Sequence, residues 1–510
     1  MSEVVITLEE RLSVATVFAI YLASITVLGL YARRVLGKTS VDRYVEEFYV
    51  AGRGLGAAIV AFIIAAGLCS VGTFVGGPGL AWALGMPWAC LMGVQIFMNF
   101  YILYGLGRKL GIVARRVGAV SLGDILYERY DRSRLVALLY ALIVVVFLIP
   151  YCSVQFVGSA RVFEVMTGWP YWVALVLAGI ITVFYSTIGG IRGVGLALLV
   201  QGIFMTLCYA LLIAGTWGRA LAEYGSLAAI NEALIRVAGE PFMNAFRTPP
   251  GAAWVFSQWI IFNLGILALP HGLMAALTYR SIKAMKRAIY IGVPVVTFWT
   301  YGIWVALIGK AFFPKLPAPD HINPVLAITM IPAGLGGIVY AGVISAAQST
   351  IATMILVMSS ALLRHVYLTF IKPQATAADM KRVTLLFTLV TGLLSFLLAI
   401  TSPPALEYII ILAIGGTMSA LFWPIILGLF WKRANKYGAL ASMVVGLVVF
   451  AIDKLKLVPI SATLFGGSDP VVPGMLFSLV AFLIATYLTP PPSKRAIQLF
   501  WGLTPPEGGK

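Results

Sequence analysis

Charge is scarce in this chain. Only 11% of its 510 residues are Asp, Glu, Lys or Arg, and 61% are hydrophobic, whereas a soluble domain carries about a quarter charged residues. A water-soluble globular protein is excluded on that ground. Cysteine is scarce as well: the four, Cys69, Cys90, Cys152 and Cys208, show no CxxC spacing, which argues against a disulfide framework and a zinc site and leaves them as small packing residues. The three histidines, His271, His321 and His365, share no triad or metal spacing. No catalytic constellation is present, so the chain reads as neither an enzyme nor the holder of a cofactor. Charge is also missing from the middle of every apolar segment. Arg161, Glu164, Arg192, Glu407 and Asp453 all fall towards segment ends, which argues against a carboxylate proton relay, an acidic selectivity ring and an Arg-rich voltage sensor. A binding pocket built from these segments is then expected to hold no acidic side chain, which disfavours cationic solutes.

Apolar length is abundant. Thirteen runs lie near 12–32, 56–84, 88–107, 135–160, 171–188, 194–216, 253–276, 288–309, 334–362, 383–401, 405–430, 437–453 and 471–489, each long enough for a bilayer core of about 30 Å. The first lacks a basic flank and a small-residue cleavage site, so it reads as a helix and not as a removed signal peptide. The net charge of +17 would suggest nucleic acid in a soluble chain. Here most Lys and Arg fall in alternate loops, such as Arg108–Arg134 and Arg280–Arg287. That distribution is a topology signal: it places the N-terminus outside and the C-terminus in the cytoplasm of a multi-pass cell-membrane protein. Lipid is the expected partner and nucleic acid is not. Short helices are expected over 121–130, lying on the inner surface, and within the 217–252 loop, where Leu221, Leu227, Leu234 and Val237 recur.

Two runs are interrupted in the same way, five segments apart. The second contains Gly76-Gly77-Pro78-Gly79 and the seventh Leu269-Pro270-His271-Gly272. Pro removes a backbone donor and Gly weakens the helix. In hydrocarbon, irregular backbone survives only where it lines a polar cavity, and paired interruptions in two halves of a chain point to a transporter's binding site. A solute between them is expected to touch Thr73, Gly76, Gln155, Gln258, Asn263 or His271, with Thr417 as a further candidate. Other uncharged polar residues at depth are Ser70, Gln95, Asn99, Gln201, Gln348, Ser349 and Thr350, and interhelical hydrogen bonding accounts for most such residues in membrane helices.

Several of these residues fall in stretches that resemble sodium:solute symporters. They are Glu46-Glu-Phe-Tyr-Val-Ala-Gly-Arg-Gly-Leu-Gly56, Thr73-Phe-Val-Gly-Gly-Pro-Gly79, Val154-Gln-Phe-Val-Gly-Ser-Ala-Arg161, Gly189-Gly-Ile-Arg192, Leu269-Pro-His271, Ser349-Thr350, Gly415-Gly416, Trp423-Pro424 and Trp431-Lys-Arg-Ala-Asn435. Their order and spacing from about 40 to 450 are most similar to the sodium/pantothenate branch. The resemblance implies an all-α membrane fold of about 13 transmembrane helices. Helices 2–6 (56–216) and 7–11 (253–430) would form two inverted five-helix repeats, with helices 2 and 7 broken. The first helix and loop (1–55) and two C-terminal helices with a short tail (437–510) would complete one transporter domain, working as a monomer.

It also implies a sodium site. Aligned on the break, its oxygens fall at the carbonyls of Ala66, Cys69 and Ala346 and the hydroxyls of Ser349 and Thr350. The implied activity is sodium-coupled symport of a small organic solute by alternating access. A monocarboxylate such as pantothenate, lactate or an amino acid fits, because its carboxylate can sit at a half-helix N-terminus. Two departures leave a proton-coupled or uncoupled carrier open: Leu198 stands where relatives often have an acidic residue, and Ala275 where they have Arg. A channel or sensor fits less well, since charged filter rings are absent and the tail after 490 is too short for a signalling domain.

Overall fold

A computed structural model describes residues 7–246, 251–401 and 406–502, with backbone alone for 92–103; Gln95 and Asn99 therefore lie outside the described side chains. The described chain is all-helical, and its one isolated β-bridge pairs Leu55 with Tyr279. Among the described residues, nine helices are long and apolar enough to cross a membrane, or up to eleven when each of two bent pairs counts as one span. The bent pairs are Ala57–Leu68 with Gly72–Leu84, at 58°, and Ala252–Leu267 with Pro270–Thr278, at 45°. Helices 2 and 7 of the sequence reading are thus both broken.

The first break does not sit where the Gly-Gly-Pro-Gly run suggested. Helix Ala57–Leu68 ends at Cys69, which is extended (φ −78°, ψ 100°), and a π-helical turn covers Gly72–Gly76. Pro78 stands at the start of the next helical stretch, Gly77–Leu84. The backbone stays helical from Gly72 through Gly77 into that stretch, so Pro78 follows the wider π-helical turn without breaking the segment. The second break is at Leu269 (ψ 108°), with Pro270 opening the next helical turn.

The fifth and sixth apolar runs are two helices that meet at Gly190 within Tyr171–Tyr224, where φ 54° with ψ −164° breaks the helix and suits only a residue without Cβ. At the centre lies helix Gly336–Leu362, buried along its length and packed on Tyr171–Tyr224 and Arg134–Thr167. A buried polar chain pins that contact: Tyr21 Oη donates to Gln348 Oε1 at 2.7 Å, Gln201 Nε2 donates to Tyr21 Oη at 3.1 Å, and Tyr185 Oη donates to the Gln348 carbonyl at 3.1 Å.

The short helices expected in the loops are present as Leu122–Arg129 and Leu227–Ala238. The former is not a surface element. It is wedged under the bundle, and buried Arg129 donates to the carbonyls of Gly428 (2.5 Å) and Trp431 (2.9 Å) at the end of helix Leu406–Phe430. A helix terminus leaves such carbonyls without partners, and the guanidinium fork supplies several donors at once.

Candidate functional site

The first break leaves backbone groups that the helix no longer bonds, and side chains take them up, three from other helices and one from the break itself. Gln155 Oε1 accepts the Val71 N–H at 2.8 Å and Ser70 Oγ accepts the Gly72 N–H at 3.0 Å. Tyr209 Oη donates to the Thr73 carbonyl, and Asn323 Nδ2 donates to the Phe74 carbonyl at 2.9 Å. Of the expected solute contacts, Gln155 therefore serves the break itself. In Gln155→Leu the buried Val71 N–H loses its acceptor, at a cost of about 2 kcal/mol. The expected outcome is a lower melting temperature in detergent, with Gln155→Glu closer to wild type because it keeps an acceptor; equal melting temperatures for all three proteins would contradict this role.

Beside the break, helix Gly336–Leu362 brings together four of the five oxygens expected to hold sodium, all but the Cys69 carbonyl. Ser349 Oγ lies 2.6 Å from the Ala66 carbonyl and 3.0 Å from the Ala346 carbonyl, and Thr350 Oγ1 lies 3.1 Å from the same Ala346 carbonyl. All four residues are buried, and the extended Cys69 follows Ala66 by three positions. Thr353, one turn on, was not singled out by sequence; its Oγ1 donates to the Thr350 carbonyl at 3.0 Å. A hydroxyl carries one proton and two lone pairs, so Ser349 and Thr350 can turn from donating to these carbonyls to joining them around a cation.

A cavity of about 80 Å³ opens on the other side of Cys69 and Ser70, between the two broken helices. Thr73, Tyr151, Phe262, Thr300 and Glu407 line it, with aliphatic side chains such as Leu68 and Ile410. Of the expected solute contacts, Thr73 reaches the lining. Gly76 flanks it, since a Cβ there would meet Glu407 Oε2 at 2.5 Å. His271 is fully buried with its ring edge-on to Tyr151 (centroids 5.8 Å apart), one layer behind the lining, and neither ring nitrogen has a protein partner. Asn263 donates to its own Trp259 carbonyl at 2.9 Å, and Thr417 to its own Ala413 carbonyl at 2.7 Å. Gln258 faces away, beside the Asp469 carboxylate, where Ser257 Oγ also accepts the Asp469 N–H.

Glu407 corrects the expectation of a pocket without an acidic group. In sequence it sits at a segment end, but that end is the first turn of helix Leu406–Phe430, which starts beneath a folded-over loop. The loop's Asp320 carboxylate packs on Gly79, accepts the Leu406 N–H and pairs with Arg161 at 3.7 Å, near His321 and Glu164. Burial pushes the Asp320 carboxyl up to about 6, against the pull of Arg161. A raised carboxyl favours the fold while it is protonated, so its contribution is full below the ordinary carboxylate range and is lost as pH rises through about 6. Wild type should therefore lose melting temperature between pH 5 and 7 relative to Asp320→Asn; parallel curves for the two proteins would refute the assignment.

The family model described as the sodium:solute symporter family matches residues 48–446. The chain is similar to the sodium/pantothenate symporter of Escherichia coli K12, 33% identical over 93% of this chain and 96% of that protein. It is 31% identical to the Haemophilus influenzae protein of the same name, over 90% and 92%, and 26% identical to an osmoregulated proline transporter of Bacillus subtilis, over 94% and 96%. Among solved structures, a Na⁺-coupled sialic acid symporter in a substrate-bound outward-open state aligns with a TM-score of 0.76 at 20% identity, covering 95% of this chain and 99% of that one.

Proposed function

The chain belongs to the sodium:solute symporter family, and on that premise we propose which residues carry its sodium-coupled symport of a small solute. Sodium binds the carbonyls of Ala66, Cys69 and Ala346 and the hydroxyls of Ser349 and Thr350. The observation that carries this reading is the 2.6 Å approach of Ser349 Oγ to the Ala66 carbonyl across 283 positions of sequence. It joins the broken helix to the central one, and a hard cation wants several such oxygens together.

The solute binds in the cavity between the breaks, against Thr73, Gly76 and Glu407, with Tyr151 and Thr300 as further contacts and His271 supporting Tyr151 from behind. A monocarboxylate such as pantothenate, lactate or an amino acid is the solute class, supported by the two sodium/pantothenate relatives. The rest of the reading follows the family resemblance. Helices 2–6 (56–216) and 7–11 (253–430) are inverted repeats within about thirteen spans of a monomer, and the two bent pairs at corresponding places support it. The basic loops orient the N-terminus outward and the C-terminus to the cytoplasm. Uptake of labelled pantothenate, lactate and alanine into proteoliposomes, with and without an inward sodium gradient, tests the reading. Sodium-driven accumulation of one of them is expected; uptake that follows a pH gradient and ignores sodium would favour the proton-coupled alternative.

A further inference from the structure

Glu407 is 3% exposed, and its Oε2 has no protein partner. It lines the cavity between the breaks with Ser70, Thr73, Tyr151 and Thr300. Two glycines make room for it: a Cβ on Gly72 would stand 2.9 Å from Glu407 Oε2 and 3.2 Å from Ser70 Oγ, and one on Gly76 would stand 2.5 Å from the same carboxylate oxygen. The carboxylate oxygen thus rests over bare backbone at the turn that shapes the cavity, close to the Ser70 hydroxyl. Among the described residues no Lys, Arg or His pairs with Glu407; the Arg161 nearby is engaged with Asp320. A buried carboxylate is costly unless a donor satisfies it, and the other lining side chains carry no charge.

We propose that Glu407 selects the solute: it accepts a hydrogen bond from a hydroxyl, amide N–H or ammonium on the transported molecule, so that donor-bearing monocarboxylates are taken and donor-free ones refused. The inference rests on the cavity being the solute site. It also orients the solute, because the donor must face Glu407 and the solute's own carboxylate then lies towards the far end of the cavity. The partner class is then a short carboxylic acid with a donor on its chain. A site built around a buried acceptor rejects an analogue lacking the donor strongly, since binding that analogue leaves the acceptor unpaired.

Propionate, lactate and alanine form a matched series, with hydrogen, hydroxyl or ammonium on the second carbon, and pantothenate adds hydroxyl and amide donors. Their uptake is measured in proteoliposomes under a fixed sodium gradient for wild type, Glu407→Gln and Glu407→Leu. Wild type should take up at least one donor-bearing acid about a hundredfold better than propionate. Glu407→Leu should erase most of that ratio, and Glu407→Gln, which keeps an acceptor oxygen and the side chain's size, should retain part of it. Propionate uptake equal to the others in wild type overturns the proposal, as does failure of every donor-bearing acid or a wild-type ratio in Glu407→Leu. The wild-type series alone decides the matter if neither variant folds. Altered sodium dependence with unchanged selectivity also overturns it and makes Glu407 an ion ligand. Sodium-independent uptake with the predicted selectivity would instead defeat the sodium reading while leaving this one standing.

Discussion

Replacing Ser349 and Thr350 together by Ala is expected to raise the sodium concentration for half-maximal uptake about a hundredfold, while the amount of folded protein stays nearly unchanged. Each hydroxyl is an oxygen the cation must otherwise take from water, and a loss of about 1.4 kcal/mol for each is a factor of ten. Folding is spared because both hydroxyls bond chiefly to carbonyls: the Ala346 carbonyl is within 3.1 Å of each, and the Ala66 carbonyl 2.6 Å from Ser349. A carbonyl left short of one partner costs far less than an orphaned N–H. Uptake measured against sodium concentration, with fluorescence-detected size exclusion as the control for folding, gives the answer; unchanged sodium dependence in the double variant would move the ion site elsewhere.

The second large effect concerns stoichiometry. Leu198 is fully buried and offers no oxygen, and Ala275 brings no cation to the second break. The main site alone should then couple one sodium per cycle. For a monoanionic solute that cycle carries no net charge, so an imposed membrane potential should leave uptake unchanged, and a tenfold sodium gradient should support about tenfold accumulation. Two sodium ions would move a net charge, and each 100 mV would then add about 2.3 kcal/mol of drive. Uptake at a series of potassium diffusion potentials separates the two cases: a flat response fits one ion, and strong acceleration by an inside-negative potential would reveal a second site.

Sequence alone carries the membrane class, the paired breaks and the family, because bilayer thickness imposes apolar length and because Pro and Gly mark where a helix can fail. It misplaces the first break. Gly76-Gly77-Pro78-Gly79 is a conspicuous run, yet the helix yields at Cys69, whose own side chain gives no warning. Gln155, Ser70, Tyr209 and Asn323 decide where the backbone opens by bonding what is freed, and three of those four arrive from distant parts of the chain. Glu407 escapes notice for a related reason. A position near a segment end reads as solvated until the loop carrying Asp320 is known to fold over it. Gln258, Asn263 and Thr417 have the composition of binding residues, but only tertiary structure reveals that Asn263 and Thr417 bond back to their own helices and that Gln258 faces Asp469.

The Leu55–Tyr279 bridge has a consequence for how the molecule can move. Leu55 donates to the Thr278 carbonyl at 3.1 Å, and its own carbonyl accepts the Arg280 N–H at 3.0 Å. Arg115 reinforces the knot, its guanidinium 4.4 Å from the centre of the Tyr279 ring. The chain entering one broken helix is thereby stitched to the chain leaving the other. Parting them at that end breaks two backbone bonds, at about 1 kcal/mol each, while at the opposite end of the same helices no such stitch is present among the described residues. The pair behaves like a door hung on one side: swinging at the free edge is the cheap motion, and any state that opens the hung edge has to unlatch Leu55 first.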